Sequence, residues 1–197
     1  MAAPTIIQNT KTYFTTEFTR KASEALNEKK SAISKAMTAI IPLGLAGIIS
    51  RSNSGKEGSQ DIFERAKNSS INLPEFHDLE VLKTEAELSQ NKVDIFDDDQ
   101  TKIEEAIAKF SHLQTDSASA LLMWSLPAMM GLLGKHAERK SLTPSGLSGY
   151  LSSQNDYVSF TVSPELIHLE KLSSFKAFHP ISAYQQKRIE ADKLNRI

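Results

Sequence analysis

All eight glycines of this chain fall in two short zones that share one arrangement. In each zone a Gly-x-x-Gly is followed by a spacer and a second Gly-x-x-Gly, and each zone is entered through a proline inside an apolar run. The two prolines, Pro42 and Pro127, are 85 residues apart. This arrangement predicts one helical unit used twice. The glycines are Gly44, Gly47, Gly55 and Gly58 in the first zone, and Gly131, Gly134, Gly146 and Gly149 in the second.

Glycines three residues apart on an apolar helix allow another backbone to come close. Proline bends or ends a helix because it donates no hydrogen bond and clashes with the preceding turn. We therefore predict two proline-kinked apolar helices that cross at their glycine pairs. We also expect the first of them to break at Pro42, with a short second helix beginning there. The predicted shared core consists of Ile40, Leu45, Ile48, Leu122, Met130 and Leu132.

Length and composition are those of an ordinary soluble protein. A chain of 197 residues forms one domain or two small ones in close contact, and 40% hydrophobic residues suffice for a core. The absence of cysteine excludes disulfides, thiolate metal sites and cysteine nucleophiles. A net charge of −1 gives the whole chain no general attraction for nucleic acid.

Helical periodicity runs through most of the chain and predicts an all-α multihelical bundle. Only Tyr157–Val162 alternates like a strand, and a lone strand has no partner, so we interpret it as an extended connector. The predicted division is a first helical unit over 1–74, an acidic helical connector over 75–99, a second helical unit over 100–155 packed on the first, and a C-terminal extension with one or two helices over 156–197.

The two longest apolar runs, Ala36–Ser50 and Ala120–Gly134, are about 15 residues each, shorter than the ~20 that span a bilayer. Both are interrupted by proline, which favours buried core helices over a re-entrant membrane hairpin. The N-terminus has neither the basic start nor the apolar core of a signal peptide. We expect no membrane span and, by default, a cytoplasmic protein.

The loop from Gly55 to Gly58 contains a Gly-Lys pair that invites comparison with phosphate-binding loops. A nucleotide P-loop requires glycine at position 50 and a hydroxyl residue at position 57, where this chain has Ser50 and Glu57, so that motif is excluded. The nucleic-acid clamp of KH domains shares only the Gly-x-x-Gly, without the sheet that such a domain needs. A structural loop is favoured.

Motifs for metal binding and catalysis are missing from the sequence. No two of the five histidines are three or four residues apart, and the aspartates at 97–99 lack the alternate spacing and central glycine of a calcium loop. Nothing resembles a nucleophile elbow. We therefore assign no catalytic residue, no metal ligand and no cofactor-binding residue.

Two groups of residues are candidates for binding. One is a ligand groove formed by a tryptophan and three methionines, since methionine surfaces adapt to ligands, although a core position is favoured for most of this stripe. The other is a set of basic residues for nucleic-acid contact. The groove residues are Trp124, Met123, Met129 and Met130, and the basic residues are Lys29, Lys30, Lys35, Lys187 and Arg188.

Two stretches of the chain resemble the two halves of the YidB-like family, a bacterial domain of unknown function. The first half is carried by Phe14-Thr-Thr-Glu-Phe and by the run from Ser34 to Pro42, and the second by Ile107-Ala-Lys-Phe-Ser and Gly131-Leu-Leu-Gly-Lys. The resemblance implies an all-helical domain in the two-unit form found in some envelope-associated proteins, without catalytic residues to transfer. Some relatives continue into a membrane span and an OmpA-like domain, and we expect neither in this sequence.

Taken together, these patterns favour a non-enzymatic protein-interaction or scaffolding module that associates with itself or with a protein partner. The alternatives are a nucleic-acid-binding helical protein and a binder of small apolar ligands or lipids. Nucleic acid is the less favoured partner because of the net charge.

Overall fold

The computed structural model describes residues 5–69, 78–89, 95–96, 99–163 and 166. Within them the chain forms nine helices and no strand, which confirms the all-α multihelical prediction. The helices are α1 (Ile6–Tyr13), α2 (Thr16–Leu26), α3 (Lys30–Ser52), α4 (Lys56–Ser69), α5 (Leu79–Ser89), α6 (Gln100–Ser111), α7 (Thr115–Arg139), α8 (Pro144–Ser153) and α9 (Asn155–Thr161).

The two proline-containing helices, α3 and α7, form the centre of the bundle. They contact each other, and each is also contacted by α1, α4 and α6. α4 packs most extensively on α7, while α9 packs on α3 and α8 packs on α4. Every residue from Ala39 to Ile49 is buried, so α3 is apolar on all sides, as a central helix must be.

The predicted break at Pro42 is wrong, because α3 continues through this residue as a single helix. A helix end at that point would bury several unpaired backbone groups in the core, whereas a proline inside the helix forfeits a single hydrogen bond. α7 likewise passes through Pro127. The uninterrupted helices are 23 and 25 residues long, and by length and composition alone each could cross a membrane. In the fold, 78% and 72% of their apolar windows are buried, as expected for core helices.

Most of the predicted core residues are buried in the structure. Ile40, Leu45, Ile48 and Leu122 have no exposed surface and Met130 is 4% exposed, whereas Leu132 is half-buried. The two central helices touch at Gly44, since a Cβ placed there would lie 2.8 Å from Sδ of Met129 on α7. A crossing between the two glycine pairs remains a prediction. Gly131 and Gly134 are buried.

The extended connector predicted at Tyr157–Val162 is also wrong, because these residues form most of α9. Val158 and Val162 are buried together with Leu166, at a spacing of four, while Tyr157 and Phe160 are 55% exposed. Helix α9 falls in the predicted C-terminal extension. The rest of that extension, including the helix expected near its end, lies outside the described residues, and the division into units remains a prediction.

Candidate functional site

A cleft of about 500 Å³ lies between α1, the end of α7 and α8. Its apolar lining comes from Ile6 on α1 and from Leu132 and Leu133 on α7. Aromatic rings and polar or charged groups surround this apolar part. They are Asn9, Thr12, Tyr13, Lys135, His136, Glu138, Arg139 and Tyr150. The cleft thus combines apolar, aromatic and ionic contacts on one accessible surface.

A short turn sets α8 against the end of α7. The N–H of Leu142 donates to the carbonyl of Ala137 at 2.8 Å, and Ser141 takes the left-handed conformation with φ of 49°. The hydroxyl of Thr143 then accepts from the N–H of Gly146 at 3.2 Å, and Pro144 occupies the first helical position. This helix start is the one that the Thr-Pro pair predicts.

The turn brings His136 of α7 onto Tyr150 of α8. Their ring centroids are 4.0 Å apart and the rings are inclined by 21°, so the two side chains are stacked. Burial lowers the pKa of His136, and the charges of Arg139 and Lys140 lower it further. Burial raises the pKa of Tyr150. At neutral pH both rings are therefore uncharged and offer polar atoms beside an apolar surface.

The charge of the cleft comes from residues on the last turn of α7. Lys135 lies 3.9 Å from the carboxylate of Glu138, so these two opposite charges partly offset each other. Arg139 is exposed, lines the same cleft and forms no ion pair with another described residue. Its guanidinium remains available to a carboxylate or another anion.

We expect His136 to titrate below its usual value of 6.5 in the folded protein, because burial disfavours the imidazolium. A depressed folded-state pKa means that the contribution to stability is complete above the unfolded-state pKa and is lost as pH falls through the folded-state value. NMR titration of the imidazole would measure the pKa directly. Urea unfolding at about pH 8 and about pH 5 should show less acid destabilisation in His136→Phe, which keeps a ring against Tyr150. A pKa at or above 6.5 would contradict this prediction.

Comparison with protein families matches residues 9–136 to the family described as bacterial protein of unknown function (DUF937). The match covers well over half of the chain. The protein belongs to the DUF937 family. The predicted YidB-like membership is consistent with this family and is confirmed. No curated protein and no solved structure matches the chain.

The DUF937 region contains most of the cleft but not all of it. The matched residues run from Asn9 in α1 to His136 in α7, whereas Arg139 and Tyr150 follow the match. Sequence reasoning missed this cleft. It also missed α1, whose signal was a capping box: the Thr5 hydroxyl accepts from the N–H of Gln8, and the Gln8 amide oxygen accepts from the N–H of Thr5.

The candidate ligand groove is spread over two environments in the DUF937 region. Met129 and Met130 lie in the core, which is the position favoured for this stripe. Met123 and Trp124 are half-buried; Sδ of Met123 lies 3.9 Å from the Gln100 amide nitrogen. None of three clefts on the described surface is lined by these four residues. A groove there remains a prediction.

The basic residues proposed for nucleic-acid contact are only partly described. Lys29 and Lys30 are exposed at the start of α3, and the ammonium of Lys35 lies 4.6 Å from the ring centroid of Phe110. Lys187 and Arg188 lie outside the described residues, so nothing tests whether the five residues form one surface. Among the described residues, no group of three His, Cys, Asp or Glu side chains is placed to hold a metal ion.

Proposed function

We propose that this protein is a non-enzymatic interaction module whose cleft between α1, α7 and α8 binds an acidic, apolar segment of a partner protein. The observation that carries this proposal is the convergence of Arg139 with the stacked His136 and Tyr150 beside an apolar lining. Tyrosine and arginine are enriched where proteins bind each other, because each combines a large contact area with directional polar groups.

The charges around the cleft favour an acidic segment over a basic one. Lys135 is partly neutralised by Glu138, so Arg139 is the lining charge that has no ion pair with a described residue. The exposed Lys140 follows it directly. A carboxylate can take two hydrogen bonds from the planar guanidinium. An apolar side chain next to that carboxylate would cover the half-buried Leu132. The proposal therefore requires both an acidic and an apolar residue in the partner.

Fluorescence anisotropy with two synthetic peptides would test this function. Both carry a fluorescent label and the same leucine and phenylalanine residues, but one has glutamate at its polar positions and the other has lysine. We expect the glutamate peptide to bind the wild type in a salt-dependent manner. Arg139→Glu should weaken that binding about tenfold or more and should improve binding of the lysine peptide, because the charge contact is reversed.

The matched control is Lys30→Glu, which makes the same change of charge on an exposed residue at the start of α3. It should leave the affinity for both peptides close to that of the wild type. Equal binding of the glutamate and lysine peptides by the wild type would contradict the proposal. Equal losses in Arg139→Glu and Lys30→Glu would do so too, because attraction would then depend on total charge and not on the cleft.

A further inference from the structure

A second cleft, of about 530 Å³, lies on a different surface, where the end of α3 meets the beginnings of α4 and α8. It does not involve the residues of the proposed interaction cleft. Its lining is rich in hydroxyl and amide groups, and Lys56 is the one charged residue among the described residues that form it. The lining residues are Ser52, Asn53, Gly55, Lys56, Ser59, Gln60, Pro144, Ser145 and Ser148.

Two helix N-termini meet at this cleft. The first intrahelical bond of α4 runs from the N–H of Ser59 to the carbonyl of Gly55 at 3.0 Å, so the N–H groups of Lys56, Glu57 and Gly58 precede it. In α8, Thr143 accepts from Gly146, and the N–H of Ser145 lies ahead of the helical ladder. The first turn of a helix carries partial positive charge and attracts anions.

Two hydroxyl groups in the lining have no hydrogen-bond partner among the described residues. They belong to Ser52, which is 2% exposed, and to Ser59, which is half-buried. A buried hydroxyl without a partner costs free energy, and such groups are rare in folded proteins unless something else satisfies them. Ser52 belongs to α3 and not to either of the two helix N-termini, so its hydroxyl is a separate observation. Both hydroxyls can donate to an acceptor that binds in the cleft.

The charges of the lining favour an anion. None of the described lining residues carries a carboxylate, and the ammonium of Lys56 is exposed without an ion pair to another described residue. The C-terminus of α3 opposes this with its partial negative charge. However, the carbonyl of Arg51 already accepts from the N–H and the hydroxyl of Ser54, and that of Ser52 accepts from Ser148 at 3.3 Å. The cleft therefore has the N-termini of α4 and α8 and one lysine on one side of the balance. On the other side is the C-terminus of α3, whose carbonyls are largely hydrogen-bonded.

We propose that this cleft binds a phosphate monoester. A phosphate group presents several acceptor oxygens to backbone N–H groups, hydroxyls and one ammonium, which are the donors that the cleft supplies. The cleft volume leaves room for an organic part beside the phosphate. The ester can belong to a soluble metabolite or to a lipid headgroup, since both present the same group. This site differs from a nucleotide P-loop, because its donors come from two helices and α4 follows another helix.

Calorimetry and vesicle sedimentation would test the proposal on the full chain. The soluble probe is glycerol 3-phosphate, with glycerol as its uncharged counterpart. The membrane probe is a phosphatidylcholine vesicle with or without phosphatidic acid, whose headgroup is a phosphate monoester. We expect binding that depends on the phosphate, and Lys56→Gln should weaken it about tenfold because a charge-assisted contact is lost.

The double variant Ser52→Ala with Ser59→Ala separates a binding role from a structural one. It should weaken phosphate binding about tenfold. Its melting temperature should be equal to that of the wild type or slightly higher, because hydroxyls without internal partners are removed. The matched controls are Lys11→Gln and Ser34→Ala, which change the same residue types at exposed positions of α1 and α3. They should bind as the wild type does.

Binding of glycerol 3-phosphate with this variant pattern supports the proposal and identifies a soluble ester. Binding only to vesicles that contain phosphatidic acid, again lost in Lys56→Gln, supports it and identifies a lipid headgroup. Absence of binding to both probes overturns the proposal. It is also overturned if the cleft variants bind like the wild type, or if the double serine variant melts several degrees lower, since the hydroxyls would then serve the fold.

Discussion

Gly58→Ala is expected to lower the free energy of unfolding by about 3 kcal/mol, the largest effect of any single methyl addition considered for this protein. A Cβ at this position would overlap the carbonyl oxygen of Arg51 and the hydroxyl of Ser54. The carbonyl belongs to the last turn of α3 and cannot retreat unless α4 shifts away from α3. Urea denaturation followed by the fluorescence of Trp124, the single tryptophan, would measure the loss.

Gly149→Ala is the matched control for this prediction. Gly149 is an exposed residue within α8, and a Cβ there would meet no atom within 4 Å. Alanine is the better helix former, so this variant should gain about 0.5–1 kcal/mol. A Gly58→Ala protein that is as stable as the wild type would show that α4 does not begin against the carbonyl of Arg51.

Gly47→Ala should destabilise the protein by about 2 kcal/mol or more, because it overfills the core. A Cβ at Gly47 would overlap the ring of Phe96 and lie 2.6 Å from Cγ2 of Ile95. Both neighbours are buried, with exposed fractions of 5% and 4%, and a buried aromatic ring has little space to move. Denaturation in urea again provides the measurement.

Gly44→Ala tests whether the cost comes from the neighbour and not from helix α3 itself. Gly44 lies one turn earlier on the same helix, but its Cβ would press on Sδ and the terminal methyl of Met129. Methionine is flexible and can yield, so the loss should stay below about 1 kcal/mol. Equal losses at Gly44 and Gly47 would contradict the packing described around Phe96.

The helical class and the central helices were predictable because they depend on local periodicity. The course of α3 through Pro42 was not, because it depends on the tertiary environment. Proline disfavours a helix interior by about 3 kcal/mol in isolation. In this fold the surrounding residues from Ala39 to Ile49 are all buried, and an interruption there would leave unpaired backbone groups in the core. The cost of a proline inside the helix can be compared with the cost of these unpaired groups only when the positions of the neighbouring helices are known.

The segment Tyr157–Val162 was wrongly predicted because six residues are too few to distinguish the two periodicities. Their alternation is compatible with a strand, but Val158 and Val162 are also four residues apart, which is compatible with a helix. The structure separates the two patterns at Phe160, which is 55% exposed although strand alternation would place it on the same face as the buried Val158. The sequence of these six residues does not show which of them are buried.

Neither cleft was predictable from spacing, because each joins side chains that are distant along the chain. The first combines residues of α1 with Arg139 and Tyr150, and the second combines Ser52 with Ser145. The predicted ligand groove was based on residue type, namely one tryptophan and three methionines close together in the sequence. Two of these methionines, Met129 and Met130, lie in the core. The loop at Gly55 was noticed in the sequence, but the α8 residues opposite it were not.

Helix α8 borders both clefts, although it is only ten residues long. Tyr150 stacks on the His136 ring in the first cleft, and Ser145 and Ser148 line the second cleft on the other side of the helix. Asn53 anchors this helix to the end of α3 by accepting from Ser148 at 3.2 Å and from Ser152 at 2.9 Å. Any ligand that tilts α8 from one side thus changes the geometry on the other. By thermodynamic linkage, a ligand in the first cleft would then change the affinity of the second cleft for its own ligand, and the reverse effect would have the same factor.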